Sequence, residues 1–225
     1  MGKLGYKNIL IDFDDTIVDF YDAEEWAFHY MANVFNHKAT KDDFLTFKKI
    51  NHQHWEAFQQ NKLTKSEVLS ERFVNYFKHH QMEVDGHRAD VLFRNGLAEA
   101  KVKYFDQTLE TIVELSKRHD LYIVTNGVTE TQKTLHKYIK KIFISEETGY
   151  QKPNPEFFNY VFNDIGEDER QHSIIVGDSL TSDILGGINA GIATCWFNFR
   201  GFDHNPGIIP DYEINSWKQL NDIVR

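Results

Sequence analysis

Three acids within four positions, Asp12, Asp14 and Asp15, follow directly on the aliphatic run Ile9-Leu10-Ile11. Such a run reads as a short strand buried on both faces, which puts the acids at its C-terminal mouth. Carboxylates crowded there repel one another and would destabilise the fold, unless a divalent cation or a phosphoryl group sits among them. Asp12 and Asp14 are two apart, so an extended segment turns both to the same side. Taken alone, the pair reads equally well as an acidic loop after a strand.

Three further segments carry residues that suit the same chemistry. They are Thr125-Asn126-Gly127, Lys152 within Gly149-Tyr150-Gln151-Lys152-Pro153-Asn154-Pro155, and Asp178 to Asp183 within Gly177-Asp178-Ser179-Leu180-Thr181-Ser182-Asp183. With Asp12 and Asp14 they offer a nucleophilic carboxylate, a second carboxylate, a hydroxyl, a lysine and an acid pair. Phosphoryl transfer needs an attacking oxygen, positive charge on the equatorial oxygens, a proton donor for the leaving group and Mg²⁺. This is hard-oxygen chemistry, and no Cys/His set competes for a softer metal. Local readings stand beside it. Asp183 also suits a cap for a helix opening near Thr181, and Thr125 an ordinary strand-end hydroxyl before the tight turn Asn126-Gly127. Asp15 and Asp19 read as solvated acids, with Asp15 also able to cap or stiffen its turn. Lys152, preceding a proline, has a restricted, extended backbone that suits a fixed cation.

The elements that must position these groups alternate. A helix over Thr108–Arg118 leads to the strand Leu121–Val124, then a helix from Glu130. A strand at Ile142–Ile144, a helix from Pro155 and the strand Ser173–Val176 follow, then a helix from Thr181 and the strand Ala193–Phe197. This order predicts an α/β fold with right-handed crossovers and a parallel sheet covered on both sides. Such sheets place their chemistry at the carboxyl ends of the strands, where every residue named above falls. Between Asp22 and Lys101 the pattern differs. Four amphipathic segments, near Asp22–Phe35, Lys41–Gln60, Thr64–Gln81 and Gly86–Lys101, carry apolar residues at helical spacing. Thr64-Lys65-Ser66-Glu67 fits a capping box and Thr40 precedes Asp42-Asp43, so the block reads as an all-helical insert. Of the 11 histidines, seven lie there. His79-His80, near a helix end, reads as exposed or dipole-stabilised in preference to ligating.

The second segment of the insert aligns Phe44, Phe47, Asn51, Trp55 and Phe58 on one stripe. The aromatics read as a core face. Asn51 is an amide in an apolar stripe and needs a partner. A nucleobase edge, with Trp55 as a stacking ring, is one candidate, and a hydrogen bond to a neighbouring helix is the other.

Composition narrows the partners. The chain has 225 residues with 41% hydrophobic and 14% aromatic content, ample for a sizeable core. A net charge of -9 argues against nonspecific binding to nucleic acid polymers or anionic membrane. No stretch approaches a membrane span or a secretory signal. The single cysteine, Cys195, sits in an apolar run as a small filler and fits a reducing, cytoplasmic setting.

Together the four blocks resemble, in order and spacing, the signature motifs of the haloacid dehalogenase superfamily, and the helical insert is similar to its C1-type cap. Ile144 to Gly149, Lys152 to Pro155, Ser182 to Gly191, Asn51 to Trp55 and Arg72-Phe73 resemble, within that superfamily, the bacterial pyrimidine 5'-nucleotidases of the YjjG/YfnB type. The resemblance implies a Rossmann-like three-layer α/β/α core over 1–17 and 102–225, with an all-α cap over 18–101. It implies a Mg²⁺-dependent phosphatase (Mn²⁺ a possible substitute) acting on nucleoside 5'-monophosphates, pyrimidine ones foremost, as monomer or homodimer. Asp12 would attack phosphorus and Asp14 would serve as acid and then base. Thr125 and the Asn126 N–H would hold phosphate oxygens, and Lys152 would neutralise charge. Asp12, the Asp14 carbonyl and Asp178 would bind the metal, with Asp183 acting through water or by orienting Lys152. Other small phosphometabolites, or a phosphomutase of the β-phosphoglucomutase kind, are the alternatives. Halide displacement has no alkoxide to protonate, so Asp14 argues against it. A binding protein without catalysis fits poorly, since unused clustered charge is destabilising. One departure stands out: the return from the insert reads Lys103-Tyr104-Phe105-Asp106-Gln107 where the family carries Pro-Gly, which alters the hinge chemistry.

Overall fold

The structure, a computed structural model, describes residues 5–60, 62–100, 103–127 and 135–225. The chain divides into two compact units, Met1–Asp19 with Lys103–Arg225, and Phe20–Val102.

The first unit is built on six parallel strands. Its first strand, β1 (Asn8–Ile11), is buried throughout because it has neighbours on both edges and apolar layers on both faces. A two-residue strand, β2 (Val18–Asp19), marks where the chain leaves this unit.

The second unit holds four helices, α1 (Tyr21–Val34), α2 (Lys41–Gln59), α3 (Lys65–His79) and α4 (Gly86–Glu99). Reciprocal capping boxes at Thr40/Asp43 and Thr64/Glu67 start α2 and α3, satisfying the orphan N–H groups of their first turns. An aromatic core of Phe28, Phe44, Phe47, Phe73, Tyr76, Phe77 and Phe93 fills the unit. Burial of such rings, at roughly 25 cal/mol per Å² of apolar surface, is the main force holding a four-helix unit of this size.

The chain re-enters the first unit at β3 (Lys103–Tyr104), which pairs antiparallel with β2. Helix α5 (Thr108–Leu115) follows, preceded by Gln107 at φ 64°, a left-handed conformation that favours glycine. Then come β4 (Asp120–Thr125), β5 (Lys141–Ile144), the short α6 (Ser145–Thr148) and α7 (Pro155–Ile165). The helix anticipated from Glu130 begins outside the described residues. After β6 (Ser173–Gly177), a turn of π-helix, Leu180–Ile184, runs into α8 (Leu185–Ala190) and β7 (Ala193–Phe197). An edge strand, β8 (Tyr212–Ile214), and α9 (Leu220–Ile223) complete the chain.

The strand order is β5-β4-β1-β6-β7-β8, every pairing parallel. Consecutive strands therefore run outward from β1 in both directions. Their carboxyl ends meet on either side of β1, at a point where the chain order reverses. Leu10, Val124 and Ile175 pack with Phe157, Phe158, Val161 and Phe162 of α7 to cover one face.

Candidate active site

Asp12 immediately follows β1, with its N–H donating to the Val176 carbonyl at 2.9 Å and the residue 8% exposed. Thr16, fully buried, donates from Oγ1 to Asp12 Oδ2 at 3.1 Å and accepts from the Asp178 N–H at 3.0 Å. One hydroxyl thus ties the ends of β1 and β6 together. Two tryptophans fix the same loops: Trp217 Nε1 donates to the Thr16 carbonyl at 2.9 Å, and Trp196 Nε1 to the Asp178 carbonyl at 2.7 Å.

Lys152 lies at the centre. Its side chain is 1% exposed, and Nζ donates to Asp12 Oδ1 at 2.7 Å, to Asp183 Oδ1 at 2.6 Å and to the Val124 carbonyl at 2.7 Å. All three ammonium hydrogens are thereby engaged. Burial alone would push this lysine down, but the Asp12 and Asp183 carboxylates outweigh it and hold the ammonium above its ordinary pKa. Its backbone is clasped by Asn126, whose amide donates to the Lys152 carbonyl at 2.9 Å and accepts from the Lys152 N–H at 2.8 Å. The Lys152–Pro153 peptide is cis.

Asp183 uses both of its carboxylate oxygens within the protein. Oδ1 receives the lysine, while Oδ2 accepts from the Ser179 N–H at 3.1 Å, closing the π-helical turn. Burial pushes its carboxyl up to about 7, against the pull of Lys152. Asp178 is raised well above its ordinary value by burial, then by Asp15, Asp12 and Asp183. One carboxylate oxygen from each of Asp12, Asp178 and Asp183 lies within 4.8 Å of the others. Lys152 bonds Asp12 and Asp183 but not Asp178, so one ammonium stands against three clustered carboxyl groups. An all-oxygen donor set with surplus negative charge fits a hard divalent cation.

Asp14 and Thr125 also come together. A Cβ at Gly127 would lie 2.4 Å from Asp14 Oδ2 and 3.3 Å from Thr125 Oγ1, so any larger residue would have to displace the Asp14 carboxylate. Thr125 Oγ1 accepts from the Gly127 N–H at 2.9 Å, which shapes the turn after β4. Asp15 and Asp19 are half-buried and not simply solvated: Arg200 reaches both, at 3.1 and 2.8 Å. Asp15 has φ 55°, and a cleft beside it is lined by Asp178, Phe105, Phe197, Phe199, Arg200 and Phe202.

These features have counterparts in known proteins. Residues 9–197 match the model of the haloacid dehalogenase-like hydrolases. This chain belongs to that family. The HAD-hydrolase YfnB of Bacillus subtilis (strain 168) is 41% identical, over 97% of this chain and 95% of YfnB. The pyrimidine 5'-nucleotidase PynA of Streptococcus pneumoniae is 32% identical over 97% and 95% of the two chains. A crystal structure of B. subtilis YfnB bound to magnesium superposes with a TM-score of 0.91 at 40% identity, covering 99% of this chain and all of that one. The haloacid dehalogenase-like hydrolase described here is therefore an enzyme, with the family's Rossmann-like α/β core.

The second unit gives a different picture of Asn51 and Trp55. The Asn51 amide donates to Glu24 Oε1 at 2.9 Å and accepts from Arg72 at 2.9 Å, so both ends are engaged between helices. Trp55 is half-buried, edge-on to Phe58. Of the two partners considered for Asn51, the neighbouring helices are the ones its bonds reach. Sequence reasoning missed Thr16, the Asn126 clasp and Arg200. The signal for Thr16 was a hydroxyl four residues after Asp12, directly behind the acids and ahead of Ile17-Val18.

Proposed function

We propose that the chain is a Mg²⁺-dependent phosphatase for nucleoside 5'-monophosphates, pyrimidine ones foremost, working through a phosphorylated Asp12. The observation that carries this reading is the buried Lys152 held between Asp12 and Asp183 beside an uncompensated Asp178. That arrangement orients a carboxylate oxygen, supplies fixed positive charge and leaves room in its charge balance for a cation. The names of PynA and of YjjG from Escherichia coli (strain K12), both pyrimidine 5'-nucleotidases, support the substrate class.

In this mechanism a carboxylate oxygen of Asp12 forms the new P–O bond as the bond from phosphorus to the ester oxygen breaks. Asp14, protonated, delivers its proton to that leaving oxygen. The resulting Asp14 carboxylate then takes a proton from water as the water oxygen attacks phosphorus, releasing inorganic phosphate and restoring Asp12. Lys152, Thr125 and the Asn126 N–H hold the transferring oxygens. Asp12, Asp178 and the Asp14 carbonyl would hold Mg²⁺, with Asp183 supporting them, and the ion would neutralise charge that builds up on the phosphoryl group.

Phosphate release from UMP, dUMP, dTMP and sugar phosphates, each with Mg²⁺ or with EDTA, tests the proposal. The expected result is Mg²⁺-dependent turnover, highest on a pyrimidine nucleotide, and a fall of roughly 10⁴-fold or more in Asp12→Asn. Turnover in EDTA, or an Asp12→Asn variant of full activity, would overturn it.

A further inference from the structure

A second group of possible ligands lies wholly within the four-helix unit, with a chemistry unlike that of the acidic cluster. His37 follows the C-terminus of α1, Asp43 is in the first turn of α2, and His80 caps α3. Local bonds fix each one. The His37 N–H donates to the Ala32 carbonyl at 3.0 Å, and its Nε2 is 2.8 Å from the buried Tyr76 hydroxyl. Asp43 Oδ2 accepts from both the N–H and the hydroxyl of Thr40, at 2.7 Å each, as part of the capping box. The cap leaves Asp43 Oδ1 directed at His80, whose Nε2 is 3.3 Å away.

That nitrogen is the telling atom. His80 Nε2 is shielded from water yet has no hydrogen-bond partner among the described residues, although Asp43 Oδ1 is close enough to be one. A buried polar atom without a partner is costly. The 3.3 Å between His80 Nε2 and Asp43 Oδ1 is an ion pair when the ring is protonated, and it is equally the separation of two ligands on a common ion. Metal–ligand bonds of about 2.0–2.1 Å in a tetrahedron put neighbouring ligand atoms about 3.3 Å apart. The His37 and His80 rings are 4.5 Å between centroids, and one ligand atom from each of His37, Asp43 and His80 lies within 4.8 Å of the others. The hydrogen bond to Tyr76 supplies the outer partner that orients a ligating imidazole.

We infer that His37, Asp43 and His80 form a binding site for a zinc-type divalent cation, with solvent in the fourth position. Two imidazoles and one carboxylate select a borderline-soft ion over Mg²⁺. Since the three residues come from the ends of three helices, the ion ties those ends together and stabilises the folded state.

The test is calorimetric titration of Zn²⁺ into the full chain with Mg²⁺ in large excess to occupy the oxygen cluster, repeated with Co²⁺ followed by visible absorption. One Zn²⁺ should bind per chain, Co²⁺ should give the intense spectrum of a four-coordinate nitrogen-ligated ion, and Zn²⁺ should raise Tm. In His80→Ala and His37→Ala the affinity should drop by about 100-fold or more and the spectrum should be lost, while phosphate release in Mg²⁺ is unchanged. His80→Gln, which keeps a polar side chain, should lose the ion in the same way if the alanine variant does not fold. Failure of the wild-type chain to bind Zn²⁺, or equal binding and equal spectra in wild type and His80 variants, would overturn the inference.

Discussion

Each unit buries a cluster of charge, and the two clusters are balanced in opposite ways. In the helical unit, Arg72 is stacked on Phe73 and Phe93 and pairs with Asp90 at 2.9 Å. Asp90 also takes Arg94 at 2.8 Å, Glu24 takes Lys48 at 2.6 Å, and Asn51 bridges Glu24 to Arg72. Two acids there face three cations, so each carboxylate has a cationic partner. In the α/β unit, three clustered acids, Asp12, Asp178 and Asp183, have one lysine among them, Lys152, which pairs with Asp12 and Asp183. A network closed on itself rigidifies and specifies a core. A network left with surplus charge stores a demand that a bound proton or an added cation must meet, and that demand is what makes it a site. Charge balance thus separates a structural network from a chemical one.

Removing one acid from each cluster breaks that comparison most directly. Asp90→Asn should destabilise the protein by about 3–5 kcal/mol, because it strips the partner from a buried guanidinium. Asp178→Asn should do the reverse in EDTA, raising the denaturation midpoint by relieving repulsion, while abolishing Mg²⁺-dependent turnover. Urea unfolding of both variants in EDTA measures the pair. A loss of stability in Asp178→Asn comparable to that in Asp90→Asn would show that the two clusters are alike after all.

A subtler break leaves charge untouched and moves only position. A Cβ at Gly177 would stand 2.3 Å from Asp183 Cγ. Gly177→Ala therefore displaces the carboxylate that holds Lys152, and a shift of about 1 Å in such a group costs on the order of 10²-fold in rate. The expected outcome is a fall in kcat of that size with KM little changed. Undiminished kcat would mean that Asp183 supports the site only through its charge.

How far these clusters can be read from sequence follows from the same contrast. Asp12, Asp14 and Asp178 were legible because they come at once after apolar runs, and a parallel sheet collects strand ends, while Lys152 and Asp183 stand in the segments that follow such runs. The helix starts at Thr40 and Thr64 were legible because a capping box is local chemistry. What sequence could not show were side chains whose partners lie far along the chain. Asn126 next to Gly127 looks like turn punctuation, and its clasp on Lys152 spans 26 residues. Arg200 meets Asp15 and Asp19 from more than 180 residues away. The stripe through Asn51 showed that a partner was required without showing which one. The edge strand β8 escaped because three residues beside Pro210 carry no readable period.

The surplus charge also predicts a pH signature. Asp183 moves from 3.8 to about 7 in the folded protein, and Asp178 is shifted the same way. The folded state then holds protons that the unfolded chain releases, so without metal these groups cost stability as pH rises between 3.8 and about 7. A cation competes with those protons. The Tm gain from Mg²⁺ should therefore be smallest near the bottom of that window and grow by several degrees toward its top. A gain independent of pH would detach the ion from these carboxylates.

The smallest expected effect serves as the control for the others. Gln107, the last residue of the return segment, sits at φ 64° before α5. A left-handed residue with a Cβ costs about 1–2 kcal/mol, and glycine gives back part of that through its larger unfolded-state entropy. Gln107→Gly should therefore stabilise the protein by roughly 0.5 kcal/mol. It changes no charge, so the increment should be the same with Mg²⁺ or EDTA and at every pH across the carboxylate window. A Mg²⁺-dependent increment would mean that the return segment from the helical unit is coupled to the acidic cluster, and the two charge balances could then no longer be treated separately.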